Sequence, residues 1–397
     1  MPKSKLVAGL SINIILLGIV SFLTDMSTEM LVPLLPFFLA GLGATSLVIG
    51  IVEGIAESTG SFLKLLSGIY ADKIRKKKIF VLSGYSISNL TKPLLALATS
   101  PLHVLGVRVV DRVGKGIRTT PRDGIIADSS AERDRGRAFG LHRALDTSGA
   151  VVGPLIALIV LLAFGTAMDV YRLVFLVSAI PGIAAVIVIL FVRETRGKPS
   201  RKFSLSLEKF PPNFRCFVLA VGLFSIGNFS IAFLLLRAHQ VLETPVYVEV
   251  GFYVLMNIAY ASFAYPMGIL SDRMGRKNML VAGFILFAGV MFCFALVHSL
   301  ILLLVLFLCF GLYMAMTDGT MRAITSVMVC EDVRCSALGI INLVTSLTIF
   351  PANFIAGFLW DTFGSWASFT FSGILAMASA SLLALSVKDV SFASLGS

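Results

Sequence analysis

Two pairs of carboxylates stand four residues apart in apolar sequence: Asp25 and Glu29 in FLTDMSTEMLVPLLP, and Glu53 and Glu57 in VIGIVEGIAEST. That spacing puts each pair on one helix face, where like charges repel. One carboxyl of each pair is therefore expected to hold its proton near neutrality, as a group that takes up and releases protons must. A denser set lies in GVRVVDRVGKGIRTTPRDG, where Arg108, Asp111, Arg112, Lys115, Arg118 and Arg122 recur at three- and four-residue steps. These steps draw one charged stripe along a helix, which must face water or acids on neighbouring helices and not lipid. The deeper members, Arg108, Asp111, Arg112 and Lys115, read as cavity lining. Arg118 and Arg122, with Asp123, read as part of a latch at the helix end.

Arg143 and Asp146 are three apart and are placed to neutralise each other, while Asp318 and Arg322, four apart, echo the stripe later in the chain. The carboxylates suit protons or cationic solutes. Arg108, Arg112, Lys115 and Arg143 equally have the donors to clamp a carboxylate or phosphate. No metal site is expected. The five cysteines (Cys216, Cys293, Cys309, Cys330, Cys335) and four histidines (His103, His142, His239, His298) show no ligand spacing. A nucleotide-binding loop of the form Gly-x-x-x-x-Gly-Lys-Ser/Thr is absent from the sequence.

The elements that carry these groups follow from composition. Charged residues make up 14% of 397 and hydrophobic residues 57%, with a mean hydropathy of +0.92, against about 25% charge in soluble domains. This excludes a soluble enzyme, a disordered chain and a disulfide scaffold. Apolar stretches fall at 10–41, 46–70, 79–99, 101–121, 137–165 and 170–192, then at 216–238, 247–270, 278–297, 299–327, 336–359 and 364–386. Each is near the roughly 20 residues that span a bilayer. The expected fold is an all-α membrane protein of twelve transmembrane helices: a six-helix unit over 1–192, a linker over 193–215, and a second unit over 216–397. The first apolar run continues through Phe38 without a small-residue cleavage site, so it reads as a retained span and not a signal peptide. Lys and Arg gather in alternate connections and in the linker, which places both termini on the cytoplasmic side. The net charge of +11 then reflects topology and does not call for nucleic acid.

The halves repeat. GIYADKIRKKK starts at Gly68 and GILSDRMGRKNML at Gly268, an offset of 200, and ERDRGRAFG at Glu132 returns as EDVRCSALG at Glu331, an offset of 199. Parallel repeats of this kind occur in transporter folds. Small residues at Gly68 and Gly268 permit close helix approach, and Asp72 and Asp272 sit at helix ends beside basic residues.

These residues resemble the major facilitator superfamily, over essentially the whole chain. Its loop signature Gly-x-x-x-Asp-Arg/Lys-x-Gly-Arg/Lys-Arg/Lys is met in full by Gly268, Asp272, Arg273, Gly275, Arg276 and Lys277. The first copy keeps Gly68, Asp72 and Lys73, with Arg75 in place of the second glycine. The resemblance implies two bundles that rock around a central site, a latch at these loops, and a cavity lined by helices 1, 4, 7 and 10. Asp25, Glu29 and Asp111 are then the natural partners of the basic stripe. Gly149, Gly153 and Pro154 in AFGLHRALDTSGAVVGP resemble the Gly-x-x-x-Gly-Pro element of the drug–proton antiporter branch, although that element's trailing glycine pair is absent.

The expected function is secondary transport by alternating access, with no cofactor and with a proton gradient as the energy source. The expected substrate is an exported amphiphilic or cationic small molecule, with Asp25, Glu29 and Glu57 as coupling groups. The alternatives are a carrier for an anionic metabolite or chelate, and a non-transporting receptor, which the short loops disfavour. The expected partners are a small-molecule substrate and the lipid bilayer, with no nucleic acid. A monomer in a prokaryotic cytoplasmic membrane is expected. Most of the 31 Phe residues read as hydrophobic filler, while those of helices 7 and 12 can contribute an apolar cavity wall.

Overall fold

The computed structural model of the chain describes residues 6–7, 10–74, 76–130, 134–195, 210–329 and 334–387. Apart from a short antiparallel ladder between Leu6–Val7 and Leu10–Ser11, the described residues form helices and brief connections. Helix α1 (Ile12–Glu29) runs through a bend containing Pro33 into α2 (Leu35–Gly41). Helix α3 spans Ser46–Ile74, and α4 (Lys77–Thr91) tightens into a 3-10 turn over Lys92–Leu97. Helix α5 (Pro101–Asp128) opens with Pro in its first turn and a Ser100 hydroxyl that accepts the His103 N–H, the usual start signal. Helices α6 (Arg135–Phe164), α7 (Met168–Val177) and α8 (Ala179–Ile189) follow.

The second series is α9 (Pro212–Gly227), α10 (Ile231–Leu242), α11 (Tyr247–Met274), α12 (Arg276–Leu296), α13 (Leu300–Val327), α14 (Arg334–Phe363) and α15 (Ser365–Ser386). Ten segments among the described residues are long and apolar enough to cross a bilayer. The α4 and α5 segments are not among them: α4 has only 15 residues, and α5 carries the charged stripe.

The chain forms two compact units. One comprises Met1–Ala44, Ile55–Arg201 and Pro245–Gly251; the other comprises Thr45–Gly54, Lys202–Thr244 and Phe252–Ser397. In the first, α1 packs on α6 and α8, and α4 on α5 and α8. Ile14, Leu17, Val81, Tyr85, Ile125, Ala138 and Ile189 form a buried cluster among these helices.

In the second unit α12 packs against α13 and α15, and α9 against α14 and α15. Its core is aromatic. Phe224 stacks on Phe284 at 3.9 Å, Phe287 meets Tyr313 at 4.7 Å, and Phe294 meets Phe369 at 5.4 Å between ring centroids. Phe214, Phe217, Phe224, Phe233, Phe284, Phe294, Phe307 and Phe369 are buried between helices. The physical reason is that lipid tails supply no hydrophobic drive between helices, so close packing must supply the attraction, and each aromatic pair adds about 0.5–1.5 kcal/mol. Arg237 of α10 donates to the carbonyls of Phe294, Ala295 and Val297 at 3.2–3.4 Å, capping the end of α12.

Candidate substrate and proton site

The stripe on α5 is buried as its periodicity requires. Arg108, Asp111, Arg112 and Arg118 are each 3–4% exposed, and Lys115 is half-buried. Glycines let the neighbouring helices close on it. A Cβ on Gly114 would lie 2.6 Å from the Gly84 carbonyl of α4, and one on Gly116 would lie 2.7 Å from the Gly60 carbonyl of α3.

Four charges then interlock. Arg112 Nη2 lies 2.8 Å from Glu57 Oε1, and Arg108 Nη2 lies 3.8 Å from the same oxygen. Asp111 Oδ2 sits 3.7 Å from Arg108 and 3.9 Å from Arg112, and the Ser88 hydroxyl of α4 donates to Asp111 Oδ1 at 2.6 Å. Two cations and two anions leave this network neutral, as burial demands. Glu57 is therefore held in an ion pair with Arg112. Glu53, one turn earlier on α3, is itself buried.

Asp25 of α1 differs from expectation. Its carboxyl stands beside that of Asp146 on α6, and among the described residues it makes no ion pair with the arginines of the stripe. Asp146 further accepts from the Ser21 hydroxyl at 2.5 Å and from Arg143 Nη1 at 3.3 Å.

The contact exists because α1 and α6 cross closely at the Gly/Pro element. A Cβ on Gly149 would meet the Phe22 carbonyl at 2.4 Å and Asp25 Cβ at 3.1 Å. One on Gly153 would meet the Met26 carbonyl at 2.4 Å and Glu29 Cβ at 3.1 Å. Glu29 thus packs against α6 at the same crossing, and Pro154 is buried beside it.

The remaining predicted groups scatter. Arg118 stacks over the Tyr85 ring, 4.3 Å from its centroid, and Arg122 pairs with Asp123 at 2.8 Å. The predicted latch partners Gly68, Asp72 and Lys73 fall on the last turns of α3, and their side chains lie outside the described residues. In the second copy, Gly275 has φ +92° between α11 and α12, the left-handed region that favours glycine. Arg276 bonds Asp272 Oδ1 at 3.2 Å and the Ala323 carbonyl of α13 at 3.3 Å, while Arg273 is exposed.

Gly268 corrects an expectation. A Cβ there would meet nothing within 4 Å, so it mediates no close approach among the described residues, because this stretch of α11 is uncovered. Asp318 is engaged on both sides, by Arg322 Nη2 at 3.0 Å and by the Tyr260 hydroxyl at 2.9 Å.

Lys92 was not anticipated. It is 2% exposed, and its ammonium donates to Asn89 Oδ1 at 2.9 Å and, at 3.4 Å, to Ser27 Oγ and the Thr24 carbonyl. A lone lysine before Pro93 in an apolar stretch carried the same burial cost as the other intramembrane charges, and that cost was its signal. Among the described residues no cluster of His, Cys, Asp and Glu suited to a metal occurs.

The family model for the Major Facilitator Superfamily matches residues 17–256 and 247–394. An uncharacterized MFS-type transporter of Methanocaldococcus jannaschii is 38% identical over 381 residues, covering 94% of each chain. The multi-drug resistance efflux pump PmrA of Streptococcus pneumoniae is 25% identical over 276 residues, 66% of this chain and 67% of that one. Among solved structures, the peptide transporter POT in complex with sulfate superposes with a TM-score of 0.79 at 14% identity, covering 96% of this chain and 95% of that chain, which is a likeness of fold alone. The chain belongs to the major facilitator superfamily, as a multi-pass integral protein of the cell membrane that transports small molecules and is not an enzyme.

Proposed function

We propose that the protein is a proton-coupled antiporter of the drug-efflux type, exporting amphiphilic or cationic small molecules. The observation that carries this reading is that the carboxyls of Asp25 and Asp146 stand side by side where α1 and α6 cross closely at Gly149. A pair that holds one proton can exchange it for a cationic solute, because the deprotonated pair attracts positive charge and the protonated pair does not. Coupling then belongs to Asp25 and Asp146, with Glu29 one turn away, and Glu57 serves the fixed network with Arg112. The similarity to an efflux pump and the Gly149, Gly153 and Pro154 element support the same branch.

In this reading the chain crosses the membrane twelve times as two six-helix halves, 1–192 and 216–397, joined by a cytoplasmic linker. Both termini are cytoplasmic, the protein works as a monomer, and the proton gradient is its energy source. The loops carrying Asp72 and Asp272 latch one conformation of the alternating cycle.

A second reading, a carrier for an anionic metabolite or chelate, is favoured by the cationic groups Arg108 and Lys92, which line one chamber. The test is transport into proteoliposomes under an imposed pH gradient, screened across cationic and anionic compounds. Gradient-driven movement of cations supports antiport. Movement of anions alone moves the assignment to the second reading, and no driven movement of either refutes proton coupling.

A further inference from the structure

In the second unit a helix breaks where its apolar sequence would carry it on. The segment Pro212–Leu242 is 31 residues long and apolar enough to cross a bilayer. Yet α9 ends at Gly227, residues 228–230 are not helical, and α10 starts at Ile231. The break is held from both sides. The Asn353 amide oxygen of α14 accepts the Ser230 N–H at 2.9 Å, and the Ser230 hydroxyl accepts the Ala232 N–H at 3.3 Å to start α10. Asn228 at the break is exposed, while its amide nitrogen donates to the buried Tyr313 hydroxyl at 3.3 Å. Unwound backbone at membrane depth must meet protein or water, since lipid satisfies no polar group. The exposed side of this break therefore faces water.

Three further groups gather near that hydroxyl. Asp318 follows Tyr313 on α13, and its carboxylate acts electrostatically on the Tyr313 hydroxyl. The Tyr260 hydroxyl of α11 donates to one oxygen of Asp318 at 2.9 Å, which sets the half-buried Tyr260 ring beside the carboxylate. Arg322 holds the other oxygen at 3.0 Å. The Asp318 side chain is 40% exposed and that of Arg322 66%, so water screens the pair and a second cation can displace the guanidinium. The Asn228 amide oxygen and the C-terminal end of α9, where the helix dipole is negative, add electron-rich groups to the same cluster.

We infer that Asn228, Tyr260, Tyr313 and Asp318 form the subsite that binds the cationic centre of an organic substrate, with Arg322 as the internal cation that the substrate displaces. A carboxylate, an amide oxygen and an aromatic face together suit a weakly hydrated organic cation. The inference rests on the reading that the substrate is cationic. It divides the work between the units: the proton belongs to Asp25 and Asp146, and the substrate's charge to Asp318.

The test is equilibrium dialysis of radiolabelled tetraphenylphosphonium, a permanent cation, against the purified full-length protein in detergent at fixed pH. Saturable binding near one cation per chain is expected, weakened about tenfold or more in Asp318→Asn. Arg322→Gln removes the competing guanidinium and is expected to tighten binding by about threefold or more; loss of a merely structural contact would not improve affinity. Because Arg322 is exposed, this variant decides the matter if Asp318→Asn does not fold. The inference is overturned if Arg322→Gln fails to tighten binding. Binding that is unchanged in folded Asp318→Asn overturns the site alone and leaves cation export standing. Absence of saturable binding overturns the site together with the cationic reading. Tetraphenylphosphonium carries no proton to exchange, so failure of proton coupling at Asp25 and Asp146 leaves its binding intact.

Discussion

Removing one charge from the neutral network on α3 and α5 is expected to cost far more than removing two of opposite sign. In Arg112→Met, Glu57 loses its 2.8 Å partner and keeps Arg108 at 3.8 Å, which must also serve Asp111 at 3.7 Å, with Lys115 and Lys64 as more distant cations. The ion-paired group then has two carboxylates against one guanidinium, with only the more distant Lys64, Lys92 and Lys115 to offset the difference. Breaking a buried pair from one side costs about 3–5 kcal/mol. The Glu57 side chain is 35% exposed, so water recovers part of this, and we expect about 2–3 kcal/mol. Glu57→Gln leaves Arg112 facing Asp111 at 3.9 Å and is expected to cost about 2 kcal/mol. The double variant is neutral again, and its cost should fall short of the sum of the singles by about 1.5–2.5 kcal/mol. Interhelical hydrogen bonds in membranes couple by only about 0.6 kcal/mol, so the ion pair stands clear of that background. The assay is reversible unfolding of the purified protein by SDS in mixed micelles, run on all four proteins. Additivity within about 0.5 kcal/mol, or either single variant indistinguishable from the unmodified protein, would refute the network as described.

Three further expectations use the same unfolding assay. Gly149→Val and Gly153→Val drive side chains into the carbonyls of Phe22 and Met26 and should destabilise by about 3 kcal/mol or more. Gly140→Ala, with nothing within 4 Å of the added Cβ, should instead be neutral or stabilising by up to about 1 kcal/mol. Gly275→Ala places a side chain at φ +92° and should cost about 1–3 kcal/mol; an unchanged midpoint would mean the turn relaxes without strain.

The all-helical class and the burial of the α5 stripe were legible in the sequence, because membrane exclusion makes apolar runs and intramembrane charges conspicuous; ten of the twelve expected spans are long and apolar enough to cross a bilayer among the described residues. Gly275, singled out through the loop signature, takes the left-handed turn that selects glycine. Partner identity was less legible. Asp25 and Glu29 share a helix face, so their repulsion dominated the one-dimensional view. The decisive contact, with Asp146, depends on how closely α1 and α6 cross, and that is set by Gly149 and Gly153 together with the packing of both helices. Likewise the stripe was expected to meet Asp25, but the α3–α5 approach at Gly60 and Gly116 presents Glu57 first. Lys92 went unnoticed because a single lysine before a proline resembles a helix end, while its burial arises from Ser27 and Asn89 on two other turns. The phenylalanines of α9, α12 and α15 showed no pattern separating lipid-facing from buried positions, since both are apolar.

Whether Asp25 and Asp146 carry the coupled proton is tested most directly in proteoliposomes holding Asp25→Asn or Asp146→Asn. Substrate exchange at equal pH is measured beside uptake driven by an imposed pH gradient. Each variant is predicted to keep exchange and to lose gradient-driven accumulation, because an amide cannot release a proton while the carrier can still change conformation. Gradient-driven accumulation that survives in both variants would contradict the claim.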